Sequence, residues 1–467
     1  MTSANSSNTD TAKTSTHPNS PADGRPERPN RVPLIAFLIA NVVSISGTRV
    51  SAIAIPWLVL VTTGSAAKMG LVVVCEMAPL VISKALSGPL IDRIGPRRVS
   101  MTADTASAAV VGLIPILQLM DRLSFPLLLV LVGIAGIFRG PSDTAKGVMV
   151  PDIAEAARVP IERVTGLEST TDRTAGFIAP AIAGGLIALI GPAEALLVDA
   201  ASFAVCAVLI AIWAPRKQAD GETPDEDAEL SYGRRLLSGW DFLRKDKFML
   251  ALVLMITVTN LLDIAYSAVL LPVWVRDQGY GPAEIGLLFS VFGVTATVGA
   301  LVAAAIGERV PRRLVFTLGF MVGSVPRFLV MAWDTPLWAV VLVCLVGGFG
   351  VGFINPILGA LFIERVPRRL LGRVGSLAES LAWAGMPLGG VLAGAAIAWI
   401  GLAPALVVAG VAYFAATTMP AMIGSRADWG GRGATPAQDP PDDDSRPQDD
   451  LAQAGGLAAG AKAVSPA

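Results

Sequence analysis

Several ionisable side chains stand inside otherwise apolar stretches of this 467-residue chain: Arg49, Glu76, Arg139, Asp143, Lys146, Glu168, Asp172 and Asp263. A charge at the centre of a lipid bilayer costs about 3 kcal/mol on insertion scales, so each such residue must be paired, wetted or at work. Carboxylates placed this way can take up and release protons, and arginines beside them can set when they do. The single histidine, His17, lies in a polar N-terminal stretch. Histidine relays within the membrane and Cys/His metal clusters are therefore excluded, and any proton moved must ride on Asp or Glu.

Depth along the apolar stretches separates these candidates. Arg49, Arg139 and Asp263 fall nearest the middle of theirs, and Glu76 about one turn outward. Arg139, Asp143 and Lys146 follow the i, i+4, i+7 spacing that puts three side chains on one helix face. They form either a self-neutralising ladder or a working set. Asp263 has no basic neighbour within two turns of its own helix. An unpaired buried carboxylate can exchange a proton near neutral pH, which makes Asp263 the first candidate for proton coupling and Glu76 the second. The alternative for Asp263 is a salt bridge to Arg49 or Arg327 on another helix. Glu168, Asp172, Gly176, Pro180 and Gly184 recur at steps of four, a stripe that slants by about 40° per step. Asp172 and Arg173 are expected to find partners on the fourth or eighth apolar stretch.

The elements that must position these residues are membrane helices. The chain is 53% hydrophobic and only 16% charged, where soluble domains run near a quarter charged. Twelve stretches reach the roughly 20 residues that cross a bilayer core. They lie near 34–61, 69–91, 97–120, 125–150, 163–190, 194–214, 248–275, 284–307, 312–333, 336–362, 373–400 and 403–424. A formal charge of −1, with basic residues confined to short connectors, excludes a nucleic-acid partner. Cys75, Cys206 and Cys344 are too scattered for a disulfide framework and read as small buried side chains.

Alternate connectors carry Arg93, Arg97 and Arg98, then Arg158 and Arg163, then Arg309, Arg312 and Arg313, then Arg365, Arg368, Arg369 and Arg373; the opposite ones hold only Lys68, Arg122 and Arg276. The positive-inside rule therefore predicts cytoplasmic termini. Residues 1–33 and 425–467 read as disordered cytoplasmic tails. Between six-helix units at 34–214 and 248–424 lies a linker, 215–247. Its Leu236, Leu237, Trp240 and Leu243 fit an amphipathic helix on the membrane face. Trp57, Trp274, Trp333 and Trp338 are expected in an outer aromatic belt. Met77, Phe138, Phe292, Phe353 and Trp383 either pack between helices or line an apolar cavity.

Gly88 to Arg98 reads G-P-L-I-D-R-I-G-P-R-R between the second and third stretches, and Gly307 to Arg313 is a second copy between the eighth and ninth. Asp92 and Glu308 are 216 positions apart. Pro56 and Pro272 share that offset, as do Gly70-Leu71 and Gly286-Leu287, and Pro141 and Pro356 differ from it by one. Internal halves of this kind build many secondary transporters, whose site lies between the halves at mid-depth.

Across residues 34–424 the chain resembles the major facilitator superfamily. Gly88, Asp92, Arg93, Gly95, Arg97 and Arg98 look like its motif A, which implies a gate whose carboxylate accepts from the start of the eleventh helix near Gly372. Pro56 to Leu60 with Thr63-Gly64-Ser65-Ala66, and Gly239 to Asp246, are similar to the branch of macrolide, tetracycline-type and siderophore exporters. Gly176, Pro180, Gly184 and Gly185 resemble the antiporter motif C, with Ala179 where a glycine is usual. Arg139 resembles the motif B arginine, which implies an influence on proton uptake. Gly47-Thr48-Arg49 departs from the acidic residue usual in this branch, so no coupling role carries over to it. The resemblance implies an all-α fold of twelve transmembrane helices in two pseudo-two-fold-related six-helix bundles.

The function so implied is proton-driven export of small amphipathic drugs or secondary metabolites from the cell membrane by a monomer without a cofactor. Its substrate cavity would be framed by Asp263, Glu76, Arg49, Arg139, Asp143 and Asp172. Export of a siderophore or other specific metabolite, or uptake by symport, are the alternatives within the fold. A membrane enzyme would need a nucleophile–base set or metal ligands, and the apolar stretches offer only scattered acids. In an ATP-driven permease the ATPase would be a separate chain, since no G-x-x-x-x-G-K-[ST] loop occurs here, and the internal halves and motif A speak against that.

Overall fold

The computed structural model describes residues 31–215, 240–306, 310–333, 335–367, 370–425 and 427–429. Twelve helices are long and apolar enough to span a bilayer: α1 (Val32–Thr63), α2 (Ala66–Ile94), α3 (Pro96–Leu119), α4 (Phe125–Ala157), α5 (Ile161–Ile190), α6 (Pro192–Trp213), α7 (Lys247–Asp277), α8 (Pro282–Ile306), α9 (Arg312–Ala332), α10 (Leu337–Arg365), α11 (Leu371–Ile400) and α12 (Leu402–Ile423). Helices satisfy their own backbone, which is why this chain meets the lipid with no other regular element among the described residues. Residues 1–30 with His17, the linker as far as Gly239, the 307–309 part of the second motif copy, and Arg368 and Arg369 lie outside the described residues.

Helix ends differ from the sequence expectation where capping chemistry intervenes. Ser65 accepts from the Lys68 amide and starts α2 earlier than expected. α2 runs past the expected end near 91, through Asp92 to Ile94. Gly95 alone, at φ +90°, reverses the chain before Pro96 opens α3. Only glycine adopts that conformation without strain. α4 runs on to Ala157 instead of ending near 150. Its added turns bury Ile153, Ala154 and Ala157 against Leu34 and Phe37 of α1.

Proline breaks shape the other half. A π-helical turn at Tyr266–Leu270 interrupts α7 just before Pro272, which has no amide to donate. α9 breaks at Ser324 before Pro326, and α11 at Gly385 before Pro387.

Two six-helix bundles result. In the first, α1 packs on α5 and α6, α2 on α4, and α3 on α4 and α6; in the second, α7 packs on α11 and α12, α8 on α10, and α9 on α10 and α12. Side-chain anchors repeat with the pairings. Arg97, at the start of α3, donates to the Ile210 and Ala211 carbonyls closing α6. Arg313, at the start of α9, donates to the Ala421 carbonyl of α12 at 2.6 Å. Both bring a cation to the negative end of a helix.

The bundles meet through α2 with α11 and through α5 with α8. At one end the contact is backbone on backbone: Gly70 lies on Gly390, Gly394 on Ala66, and Gly184 on Gly286. Small residues permit that approach where lipid offers no hydrophobic drive between helices. Arg276 of α7 adds a 3.2 Å hydrogen bond to the Leu60 carbonyl of α1. At the opposite end Gly88, Gly166 and Gly372 have open space around them, and Asp92 and Arg93 are exposed. The bundles therefore enclose a cleft that is shut at the arginine-poor end and open at the arginine-rich one.

Two sequence expectations fail on burial. Trp57 and Trp274 are buried inside the bundles instead of sitting in an outer belt, while Trp333 and Trp338 are exposed. The tail expected to be unstructured from Ser425 is docked at residues 427–429. There Trp429 stacks on Phe248 and Phe316 at 5.2 and 5.0 Å, and Arg365 pairs with both Asp246 and Asp428. The Ser425 hydroxyl first, then Arg365, holds the Asp428 carboxyl below its ordinary range.

A side chain at Gly70 collides with the α11 backbone. Gly70→Val is therefore expected to part the bundles at the shut end. In a cysteine-free background it should raise modification of Ala66→Cys by a membrane-impermeant maleimide; unchanged labelling would show that this contact does not hold the end shut.

Candidate functional site

The two walls of the cleft carry charge pairs built in different ways. On the second bundle, Asp263 of α7 pairs with Arg327 of α9. Asp263 lies just before the π turn of α7, and Arg327 just after the break in α9. The arginine is 9% exposed and lies against the rings of Tyr266, Phe328, Tyr413 and Phe292, with 4.6 Å to the first. A guanidinium stacks well on aromatic faces because it is weakly hydrated. Asp263 is half-exposed beside it and lines a cavity of about 260 Å³ with Asn260, Phe289 and Phe292. Of the two partners left open for Asp263 by the sequence, the structure selects Arg327. Asn260 and Thr257 tie this part of α7 to the broken segment of α11 through the Ala382 and Leu381 carbonyls.

On the first bundle, Arg139 of α4 faces Glu76 of α2 at 3.5 Å. Arg49 of α1 is exposed, close enough to Arg139 to be repelled by it and to Asp172 of α5 to be attracted. Among the described residues Asp172 forms no ion pair with the fourth or eighth helix, and the cation whose charge reaches it is Arg49 of α1. Asp143 is exposed, whereas Lys146 is buried. The expected ladder on α4 is thus divided, because its residues straddle the border between cleft and bundle interior.

Lys146 turns inward to Asp104 of α3 at 3.3 Å. Asp104 is fully buried and also accepts from Ser142 at 2.5 Å and Ser100 at 3.4 Å, while Lys146 reaches Ser44 of α1 at 3.1 Å. Asp199 of α6, 2% exposed, accepts from Ser51 of α1 and from Ser202. Sequence reasoning passed over both aspartates. The signal was present, since each is a carboxylate within an apolar stretch, but α3 and α6 look peripheral until their packing against α1 and α4 is known.

The antiporter-like stripe forms the α5–α8 seam: Gly184 and Pro180 lie on Gly286, while Gly176 approaches Gly293, and Gly185 meets nothing within 4 Å. The motif A residues Asp92 and Arg93 face solvent, and Arg98 is exposed beside the anchored Arg97. Lys84 of α2 bridges the cleft deeper in, 3.5 Å from Glu379 and 4.2 Å above the Trp383 ring of α11. Among the described residues no group of three or more His, Cys, Asp or Glu could hold a metal.

Removing one partner of a buried ion pair leaves the other charge stranded, at a cost of about 3–5 kcal/mol. Lys146→Met is expected to lower the thermal midpoint of the purified protein sharply, and Asp104→Asn with Lys146→Met to recover most of the loss. If the single change matched wild type, the pair would hold nothing together.

Comparison with known proteins agrees with this architecture. The chain is 30% identical over 368 residues to the multidrug efflux pump Tap of Mycobacterium tuberculosis (strain ATCC 25618 / H37Rv), covering 78% of this chain and 87% of that one. It is 24% identical over 336 residues to macrolide efflux protein A of Streptococcus pyogenes, covering 71% and 81%. In fold it superposes on the nucleoside transporter NupG with a TM-score of 0.70 at 14% identity, over 84% of this chain and all of that one. A POT family transporter superposes at 0.64 and 11% identity, over 84% and 95%. The family model of the Major Facilitator Superfamily matches residues 37–264 and again 253–443, one match to each half. With its twelve helices in two related bundles and charge pairs on both walls of the cleft, the chain belongs to the Major Facilitator Superfamily of membrane transporters.

Proposed function

We propose that this protein exports small amphipathic drugs or secondary metabolites across the cell membrane in exchange for protons. The observation that carries export is the 30% identity, over most of both chains, to a protein named a multidrug efflux pump. The cleft supports the rest of the reading. It offers aromatic surface at Phe289 and Phe292 beside a half-exposed carboxylate, Asp263, a surface suited to an amphipathic molecule.

The arginine-rich end faces the cytoplasm in this reading, so both termini do as well. The state described is then open inward. Alternating access is the rocking of residues 34–214 against 248–424 about the cleft. Closing the inner end brings Asp92 to the start of α11 near Gly372, where the positive end of a helix favours an anion. Lys84 and Glu379 already join the same two helices deeper in the cleft.

Cells expressing the protein are expected to tolerate higher concentrations of several amphipathic antibiotics than cells without it. They should also extrude a fluorescent dye in a manner abolished by a protonophore. Equal susceptibility across the panel would refute export, and efflux indifferent to the protonophore would refute proton exchange. Asp92→Asn removes an anion worth about 1–2 kcal/mol at a helix start. It should cut efflux several-fold at unchanged expression; wild-type efflux would dismiss the gate. Asp263→Asn leaves Arg327 without its partner and should abolish transport of the dye, while wild-type transport would remove Asp263 from the site.

A further inference from the structure

Below the Glu76–Arg139 pair the first bundle contains a cavity of about 20 Å³, lined by Ser51, Glu76, Ser107, Arg139 and Asp199. Its size is that of a single water, far too small for a drug. Glu76 and Arg139 stand at its mouth, with side chains 13% and 21% exposed; Asp199 lies at its floor. Ser107, 1% exposed, points its hydroxyl into the same space without a hydrogen-bond partner.

The charges around this cavity do not balance. From α2 comes Glu76, from α6 Asp199, and from α4 Arg139, which is 3.5 Å from Glu76 and lines the same small cavity as Asp199. Of the other ionisable groups nearby, Lys146 of α4 is paired with Asp104 of α3, while Arg49 of α1 and Asp172 of α5 add one charge of each sign and leave the count unchanged. From α1 and α3 the cavity receives only the hydroxyls of Ser51 and Ser107. Two carboxylates thus share one guanidinium in a nearly dry enclosure. Like charges that share a site disfavour each other's ionisation, and a proton on one carboxylate would restore the balance. A metal cation could also cancel the excess, but the Arg139 guanidinium lining the cavity repels one.

We propose that Glu76 and Asp199 together hold one transferable proton, and that this is the proton exchanged for substrate. The assignment rests on the proton-exchange reading above. It moves the coupling group away from Asp263, whose charge is answered by Arg327, and into the first bundle. The step is a proton transfer alone. A carboxylate oxygen takes a proton from water on one side of the membrane, and the O–H bond breaks to water on the other. Arg139 connects the floor to the cleft, so a substrate that draws Arg139 away from the carboxylates changes their hold on the proton. Asp199 touches no substrate and acts through that shared guanidinium.

Infrared spectroscopy of the purified protein tests the shared proton without any substrate. At neutral pH the wild type should show the stretch of a protonated carboxyl group. Asp199→Asn and Glu76→Gln should each lose it, because the remaining acid then has Arg139 to itself, and Asp199→Glu should retain it. No such band in the wild type, or a band surviving in both neutral variants, overturns the shared proton. Proteoliposomes with an imposed pH gradient and ethidium as probe test the coupling. Asp199→Asn should lose gradient-driven accumulation while keeping dye exchange at equal pH, as a merely structural defect would not. Accumulation as in wild type overturns the coupling role. A wild type that ignores the gradient overturns proton exchange itself, and the infrared result then stands or falls on its own.

Discussion

A charge inside a bilayer has to be answered by another helix, and the rest of this structure depends on that requirement. Three ion pairs among the described residues each join different helices within one bundle: Glu76 with Arg139, Asp104 with Lys146, Asp263 with Arg327. In water such pairs contribute little. In a bilayer the alternative is an unsatisfied charge in hydrocarbon, so the pair specifies which helices meet and in what register. α4 is held to α2 by one pair and to α3 by another, and α7 is held to α9. Both bundles thereby acquire an interior that does not depend on their partner.

Contact between the bundles is of another kind. Its described polar and close-packed parts are glycine backbones and the Arg276–Leu60 hydrogen bond at the shut end and one salt bridge, Lys84 with Glu379, toward the open end. Packing of small residues is shape-dependent and short-ranged, so it is lost within a small displacement without stranding any charge. Each bundle therefore can move as a body while the strong pairs inside it stay made. This division of labour is the physical basis for the rocking proposed above.

Much of this was legible in the sequence, for reasons that differ by level. Twelve spans follow from length and hydropathy alone, because lipid allows few other solutions. The halves follow from motif offsets, and Arg97 and Arg313 keep that correspondence in their anchors. What the text could not disclose is which face of a helix ends in the cleft. Asp143 and Lys146 differ by less than one turn, yet one is exposed and the other buried. Trp57 and Trp274 were assigned to a belt by type and depth, but depth does not tell whether a side chain points to lipid or to a neighbouring helix. Reversal at Gly95 in a single residue was hidden for a similar reason: a turn was evident, while its brevity depends on one backbone angle.

The halves also differ where their repeat predicts likeness. Asp263 stands 216 positions after Gly47, so the duplicated unit carries a carboxylate in α7 and a bare glycine in α1. Asp199 and Ser202 of α6 occupy the space that a side chain at Gly47 would need. The first bundle thus has its acid on the sixth helix, aimed at the first, where the second bundle has it on the first helix of its repeat. There Arg327 answers it directly. In the first bundle the arginine comes from α4 and must serve Glu76 as well. One unit ends with its charges matched and the other with a carboxylate in excess. Symmetry of the backbone, with asymmetry of the buried charge, is what the proposed exchange draws on to give two related bundles different tasks.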